Sequence, residues 1–280
     1  MVLPALVLFV VMLVIPVGLS VYLSLTDWDG YSPDPQFIGV RNYVRMFSTG
    51  EVISAGAVTL TIAAAGTVLL NVLGLGFALL VHRTSRANTF FRAVLFYPHI
   101  LSALVVGFLW SALLGTTGVV NTLVTEAGGS VLPFLSDPVW ARVTLIGVIV
   151  WAGFGVNLVL YIAGLQTINK DLLEAATIDG ASRFQTFRNV TLPSLAPVVT
   201  VNLVLSLVTL LKTYDLVVSL TGGGPAGSTQ TAAYLILSES FANSSLGFGS
   251  AQSVVLMVVT GVLAVVVSRL RSRADKAVAA

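Results

Sequence analysis

The 280-residue chain is 56% hydrophobic and 9% charged, with a mean hydropathy of +0.96 and a formal charge of +2. An ordinary water-soluble domain carries roughly a quarter charged residues, so this composition excludes one and requires lipid to cover much of the apolar surface. The small positive charge, scattered among loops, argues against nucleic acid as a partner. The absence of Cys removes disulfides and thiolate chemistry, and His82 and His99 lack the spacing of a metal site.

A helix needs about 20 apolar residues to cross the hydrocarbon layer. Runs of that kind predict an all-α, polytopic single domain over residues 1–280 with six spans, at 3–25, 57–81, 93–115, 143–165, 195–220 and 251–268. The first has no basic flank and is long for a leader's apolar stretch, so it reads as a span and not as a cleaved signal. Arg83, Arg86, Arg92, Lys170, Arg183, Arg188, Arg269, Arg271, Arg273 and Lys276 fall in alternate loops or after the last span. The other loops hold Arg41 and Arg45, with Arg142 at a span edge, and collect the acids Asp27, Asp29, Asp34, Glu51, Glu126, Asp137 and Glu239. The positive-inside rule then puts both termini in the cytoplasm.

Between spans four and five the chain takes residues 166–194, far more than the ~4 to 8 residues that reverse a chain. Helix formers there carry an apolar face at Leu172, Ala176, Phe184 and Phe187. Two short amphipathic helices are expected, with Gly180 supplying a positive φ between them and Pro193 starting the fifth span. Ala175 and Ala176 leave one face of the first helix smooth enough for a groove, and Glu174 offers a carboxylate to a basic partner. The segment reads as a docking elbow.

Spans four and five carry polar residues at helical spacing. Asn202, Ser206, Thr209 and Thr213 recur at intervals of four, three and four, and Gly153, Asn157 and Tyr161 at intervals of four. Such stripes either line a wet path, where neutral groups suit a sugar's hydroxyls, or pack helices closely. Lys212 and Asp215 stand three apart and are expected to pair on one helix face, offsetting about 2.5 to 3.5 kcal/mol for each unpaired charge in a span. No Gly-x-x-x-x-Gly-Lys-Ser/Thr loop is present, so the chain has no phosphate cradle for ATP. No catalytic constellation accompanies the spans either, and an enzyme is not expected.

Glu174-Ala175-Ala176, Asp179-Gly180-Ala181, Phe187 and Leu192-Pro193 resemble, in identity and spacing, the EAA loop of binding-protein-dependent ABC importers. Further stretches are similar to the carbohydrate and glycerol-phosphate branch: the run from Leu220 to Pro225, Phe91-Arg92-Ala93, Phe96-Tyr97-Pro98, the run from Ser24 to Trp28, and Phe37-Ile38-Gly39 with Asn42-Tyr43. The resemblance implies a type I ABC importer permease fold in the cytoplasmic membrane, with 166–194 as the coupling helix seated on an ATPase. It also implies a second permease, two ATPase subunits holding ATP and Mg, an extracytoplasmic solute-binding protein and a carbohydrate cargo, with no cofactor in this chain. By the same resemblance, the middle of spans four and five faces the translocation cavity. The rival reading is an ion-coupled secondary transporter or channel, for which Lys212 and Asp215 are the only embedded ionisable groups at hand.

Overall fold

The computed structural model describes the backbone of residues 2–279 and the side chains of residues 2–271; Arg273 and Lys276 lie outside the described side chains. Among the described residues five helices are long and apolar enough to cross a membrane, or six if one bent pair counts as a span. In chain order the helices are α1 (Leu3–Leu23), α2 (Arg41–Ser48), α3 (Gly50–Val81), α4 (Arg86–Ile100), α5 (Ala103–Leu114), α6 (Val119–Glu126) and α7 (Pro138–Gln166). They continue as α8 (Lys170–Ile178), α9 (Arg183–Ser194), α10 (Ala196–Leu211), α11 (Asp215–Leu220), α12 (Ala232–Ala242) and α13 (Leu246–Ala279).

The expected all-α architecture is present, but two expected spans are not single helices. The third, placed at 93–115, breaks at Leu101 and Ser102, where Leu101 turns to an extended ψ of 142°. Pro98 prepares that break, because it has no N–H to close the helix and its carbonyl instead accepts the amide of Leu101. The apolar stretch of crossing length begins after it, at Ala103–Glu126. The fifth, placed at 195–220, ends as a helix at Leu211 and resumes at Asp215. Its 16 residues span about 24 Å, short of the ~30 Å hydrocarbon layer. A 67° bend separates it from α9.

The core forms where α3 and α7 cross, with α10 against them. Ile62, Leu70, Leu145, Phe154 and Leu211 are buried there. Glycine sets how closely these helices approach: a Cβ on Gly74 would lie 2.6 Å from the Asn157 Cβ, and one on Gly155 would lie 3.0 Å from the Leu95 carbonyl oxygen. Arg92 closes the end of α3, its guanidinium donating to the carbonyls of Val81 (2.7 Å) and His82 (2.8 Å). α1 lies on the outside, with no buried residue in its apolar stretch. At the opposite end of the bundle from 166–194, Thr26 and Phe37 form an antiparallel bridge. Buried Asn42 ties α2 to that hairpin by donating to the carbonyls of Ser24 (2.9 Å) and Thr26 (2.8 Å).

Candidate functional site

A cavity of about 540 Å³ opens between α7, α10 and the break that follows α10. Its walls are mostly apolar, and its polar groups converge from the two spans singled out in the sequence. Gly153 and Asn157 come from α7; Asn202, Ser206 and Thr209 come from one face of α10. Of the seven residues expected along this path, six line the cavity.

Tyr161 is the exception. Its ring is buried, 1% exposed, and its hydroxyl donates to Asn71 Oδ1 at 2.7 Å. A four-residue interval fixes which face of a helix a side chain shares, and beyond Asn157 that face turns from the cavity into the contact with α3. Tyr161 therefore belongs to a buried polar network behind the cavity wall. Asn71 Nδ2 donates to the Thr67 carbonyl at 2.8 Å and reaches Ser206 Oγ at 3.5 Å, while Asn157 Nδ2 donates to Ser206 Oγ at 2.9 Å. Three spans are thus tied together at the cavity floor by side chains that lipid could not satisfy. Asn71 was missed in the sequence, although an amide inside a 32-residue apolar helix is itself a signal.

Thr213 reaches the cavity by a different route from the one expected. The helical stripe ends with α10, and Thr213 lines the cavity from the irregular turn, where its carbonyl accepts the Thr231 hydroxyl at 2.8 Å. The same break overturns the pairing of Lys212 with Asp215. Lys212 caps α10 with φ −106° and ψ 12°, Asp215 opens α11, and no salt bridge joins them among the described residues. Both are exposed on the cavity wall together with Tyr214 and His99, neither of which the sequence spacing singled out.

One polar atom on this wall is left over. Asn202 is 1% exposed, its Nδ2 donates to the Val198 carbonyl at 3.3 Å, and its Oδ1 is buried without a partner. Natural interiors rarely leave such an acceptor unmatched, because the desolvation cost is about 1–3 kcal/mol.

The elbow at 166–194 takes the expected two-helix form, but Pro193 stands in the last turn of α9, and the fifth span starts beyond the bend at Ala196, with Pro197 in its first turn. Asn169 caps α8 by accepting the Asp171 amide at 2.9 Å. The helix ends in a Schellman arrangement, with Ala181 N donating to Ala176 O at 2.9 Å and Gly180 N to Thr177 O at 3.1 Å. Gly180 holds φ +73°. Ser182 and Gln185 then form a capping box that starts α9. Glu174, Ala175 and Asp179 are exposed, Ala176, Ala181 and Phe187 half-buried, and Leu192 and Pro193 lie at the bend into α10. Ile178 and Phe184, at 85% and 68% exposure, present apolar surface that none of the described residues covers.

Apolar spans around a cavity with a polar floor, carrying a rigid helical knob at one end, define a membrane-embedded transport permease. The chain belongs to the family of binding-protein-dependent transport system inner membrane components, which matches residues 70–279. It is 32% identical to the probable starch degradation products transport system permease protein AmyD of Thermoanaerobacterium thermosulfurigenes, over 94% of this chain and 89% of that one. It is 33% identical to the trehalose/maltose transport system permease protein MalF of Thermococcus litoralis, over 92% of this chain and 88% of that one. A crystal structure of a bacterial alginate ABC transporter, in complex with its alginate pentasaccharide-bound periplasmic protein, contains a chain of the same fold. The TM-score is 0.85 at 24% identity, covering 99% of this chain and 94% of that one. The protein is accordingly a permease subunit of an ABC importer, and the ion-coupled transporter or channel is set aside.

Proposed function

We propose that the chain forms one half of the solute pathway of an ATP-driven carbohydrate importer. The observation that carries the cargo class is the convergence of four neutral polar side chains, Asn157, Asn202, Ser206 and Thr209, on an otherwise apolar cavity wall. Neutral donors and acceptors between apolar surfaces match a sugar ring, which presents hydroxyls at its rim and C–H groups on its faces. Lys212 shares the wall with Asp215, so the cavity holds no uncompensated cationic cluster of the kind a phosphorylated solute needs. The names of the AmyD and MalF relatives favour the same class.

In this reading a second permease completes the cavity, two ATPase subunits bind ATP and Mg, and an extracytoplasmic binding protein delivers the sugar. Motion enters at the elbow. Glu174 meets a basic partner, Ala175 and Ala176 lie against a groove wall, and the exposed Ile178 and Phe184 become buried on the ATPase. The capped, glycine-reversed geometry of α8 and α9 makes the knob stiff enough to push on α10 through the bend at Leu192 and Pro193. Both chain termini lie on the elbow's side of the membrane.

The test is uptake of a labelled oligosaccharide into proteoliposomes carrying the whole complex and its binding protein. Asn202→Leu is expected to lower uptake while leaving ATP hydrolysis running. Unchanged uptake at limiting sugar would remove Asn202, and with it the cargo reading, from the pathway.

A further inference from the structure

We propose that a glycerophospholipid occupies a built site at the end of the bundle opposite the Glu174 elbow, its phosphate held by Arg41 and Arg45 and its acyl chain between α3 and α13. The inference rests on the chain's place in a membrane and is independent of its cargo. A pocket of about 470 Å³ forms where three span ends meet: Asp27 and Trp28 follow α1, Arg41 and Arg45 lie on α2, and Phe248 stands in the first turns of α13. Arg142, the third arginine on this side, is used within the fold and donates to the Ser228 carbonyl at 3.1 Å. The guanidiniums of Arg41 and Arg45 donate to no protein oxygen among the described residues. The Arg45 guanidinium lies 4.1 Å over the Phe248 ring. Two like charges four residues apart on one helix repel each other. Asp27, whose Oδ1 already accepts the Gln36 amide at 2.8 Å, supplies only one opposing charge.

The position of the pocket says which anion fits. α2 runs into the membrane span α3 after Thr49 alone, so it lies at the boundary of the hydrocarbon layer. Val40, Val44 and Phe47, about two-thirds exposed, form an apolar stripe along it beside the two arginines. An interfacial helix of this kind dips its apolar side into lipid and holds its cations at headgroup height. Directly inward, an apolar groove of about 210 Å³ runs from Met46 and Phe47 between α3 and α13, past Gln252 to Leu256 and Val259. Gln252 is 4% exposed and its Nε2 is buried with no acceptor. It stands one turn of α13, about 6 Å, inward of Phe248. A lipid's ester carbonyl follows its phosphate toward the hydrocarbon by a comparable step. The phosphate, ester and chain of one lipid thus meet two guanidiniums without an oxygen partner, one orphan amide and one apolar groove in the order in which a membrane presents them.

Native mass spectrometry of the intact complex, delipidated and titrated with dioleoyl phosphatidylglycerol, tests this. The wild type is expected to hold an adduct that Arg41→Gln/Arg45→Gln weakens by about tenfold, because charge-assisted phosphate bonds are lost. Gln252→Leu, which keeps both arginines, is expected to weaken it by a factor of about five through the lost amide bond. Arg45→Lys, retaining the charge, holds most of the adduct and shows that the site is still folded. Equal adducts in the wild type and both weakened variants would overturn the proposal. So would displacement of the lipid by inorganic phosphate at equal concentration, which would assign the arginines to a free anion. Loss of binding-protein affinity in Arg41→Gln/Arg45→Gln, with lipid retained, would assign them to an acidic protein surface.

Discussion

Asn157 Nδ2 donates to Ser206 Oγ at 2.9 Å, joining α7 to α10 at the floor of the cavity. The same hydroxyl oxygen faces Asn71 of α3, so one small side chain serves as the meeting point of three membrane helices. Ser206→Ala is expected to leave the buried Asn157 amide without its acceptor. The cost is about 1–3 kcal/mol, read as a lower thermal unfolding midpoint in detergent.

Tyr161→Phe should be milder for transport than its place in a polar stripe suggests. Its hydroxyl serves Asn71 within the protein wall and does not face the cavity. About 1 kcal/mol of stability is lost, while the sugar concentration at half-maximal uptake is unchanged. A shift of that concentration comparable with the effect of Asn202→Leu would return Tyr161 to the pathway.

Gly74→Ala is expected to destabilise the α3–α7 crossing by about 1–3 kcal/mol, the range of overpacking in a filled core. The new Cβ meets Asn157 Cβ at 2.6 Å and its backbone carbon at 3.1 Å, atoms that cannot swing aside. Gly76→Ala, where a Cβ meets nothing within 4 Å, is the matched control and should not destabilise the protein.

The hairpin before α2 should respond to acid. The backbone amide of Ser32, then that of Tyr31, then the Ser32 hydroxyl hold the Asp29 carboxyl below its ordinary value of 3.8. A depressed carboxylate contributes its ordering above the ordinary value and loses it as pH falls through the lowered one. Amide exchange at Tyr31 and Ser32 is therefore expected to accelerate only below that range, and Asp29→Ala to show the fast exchange already at neutral pH.

Hydropathy alone located the membrane helices, because lipid enforces composition over whole runs of residues. It missed the breaks at Ser102 and at Lys212, where composition stays apolar while the backbone turns. Pro98 was in view, yet whether a proline ends a span depends on what receives the freed carbonyls. The elbow was legible in more detail, since its geometry is set locally: Gly180 reverses the chain through its own φ, and Ser182 with Gln185 starts the next helix. Asn157, Asn202 and Ser206 share the cavity wall while Tyr161 turns to Asn71 behind it, because periodicity names a helix face without naming the neighbour. Asn71 and Gln252 acquire meaning only from α10 and α2, which lie far from them in the chain.

The central claim, that an external motor drives this cavity through the elbow, is tested most directly by Gly180→Pro in the reconstituted complex. Proline fixes φ near −65°, whereas Gly180 holds +73°. Labelled oligosaccharide uptake should lose its dependence on ATP, while the variant still inserts, elutes as a single species and keeps the unfolding midpoint of its spans. Wild-type ATP-driven uptake by this variant would contradict the account.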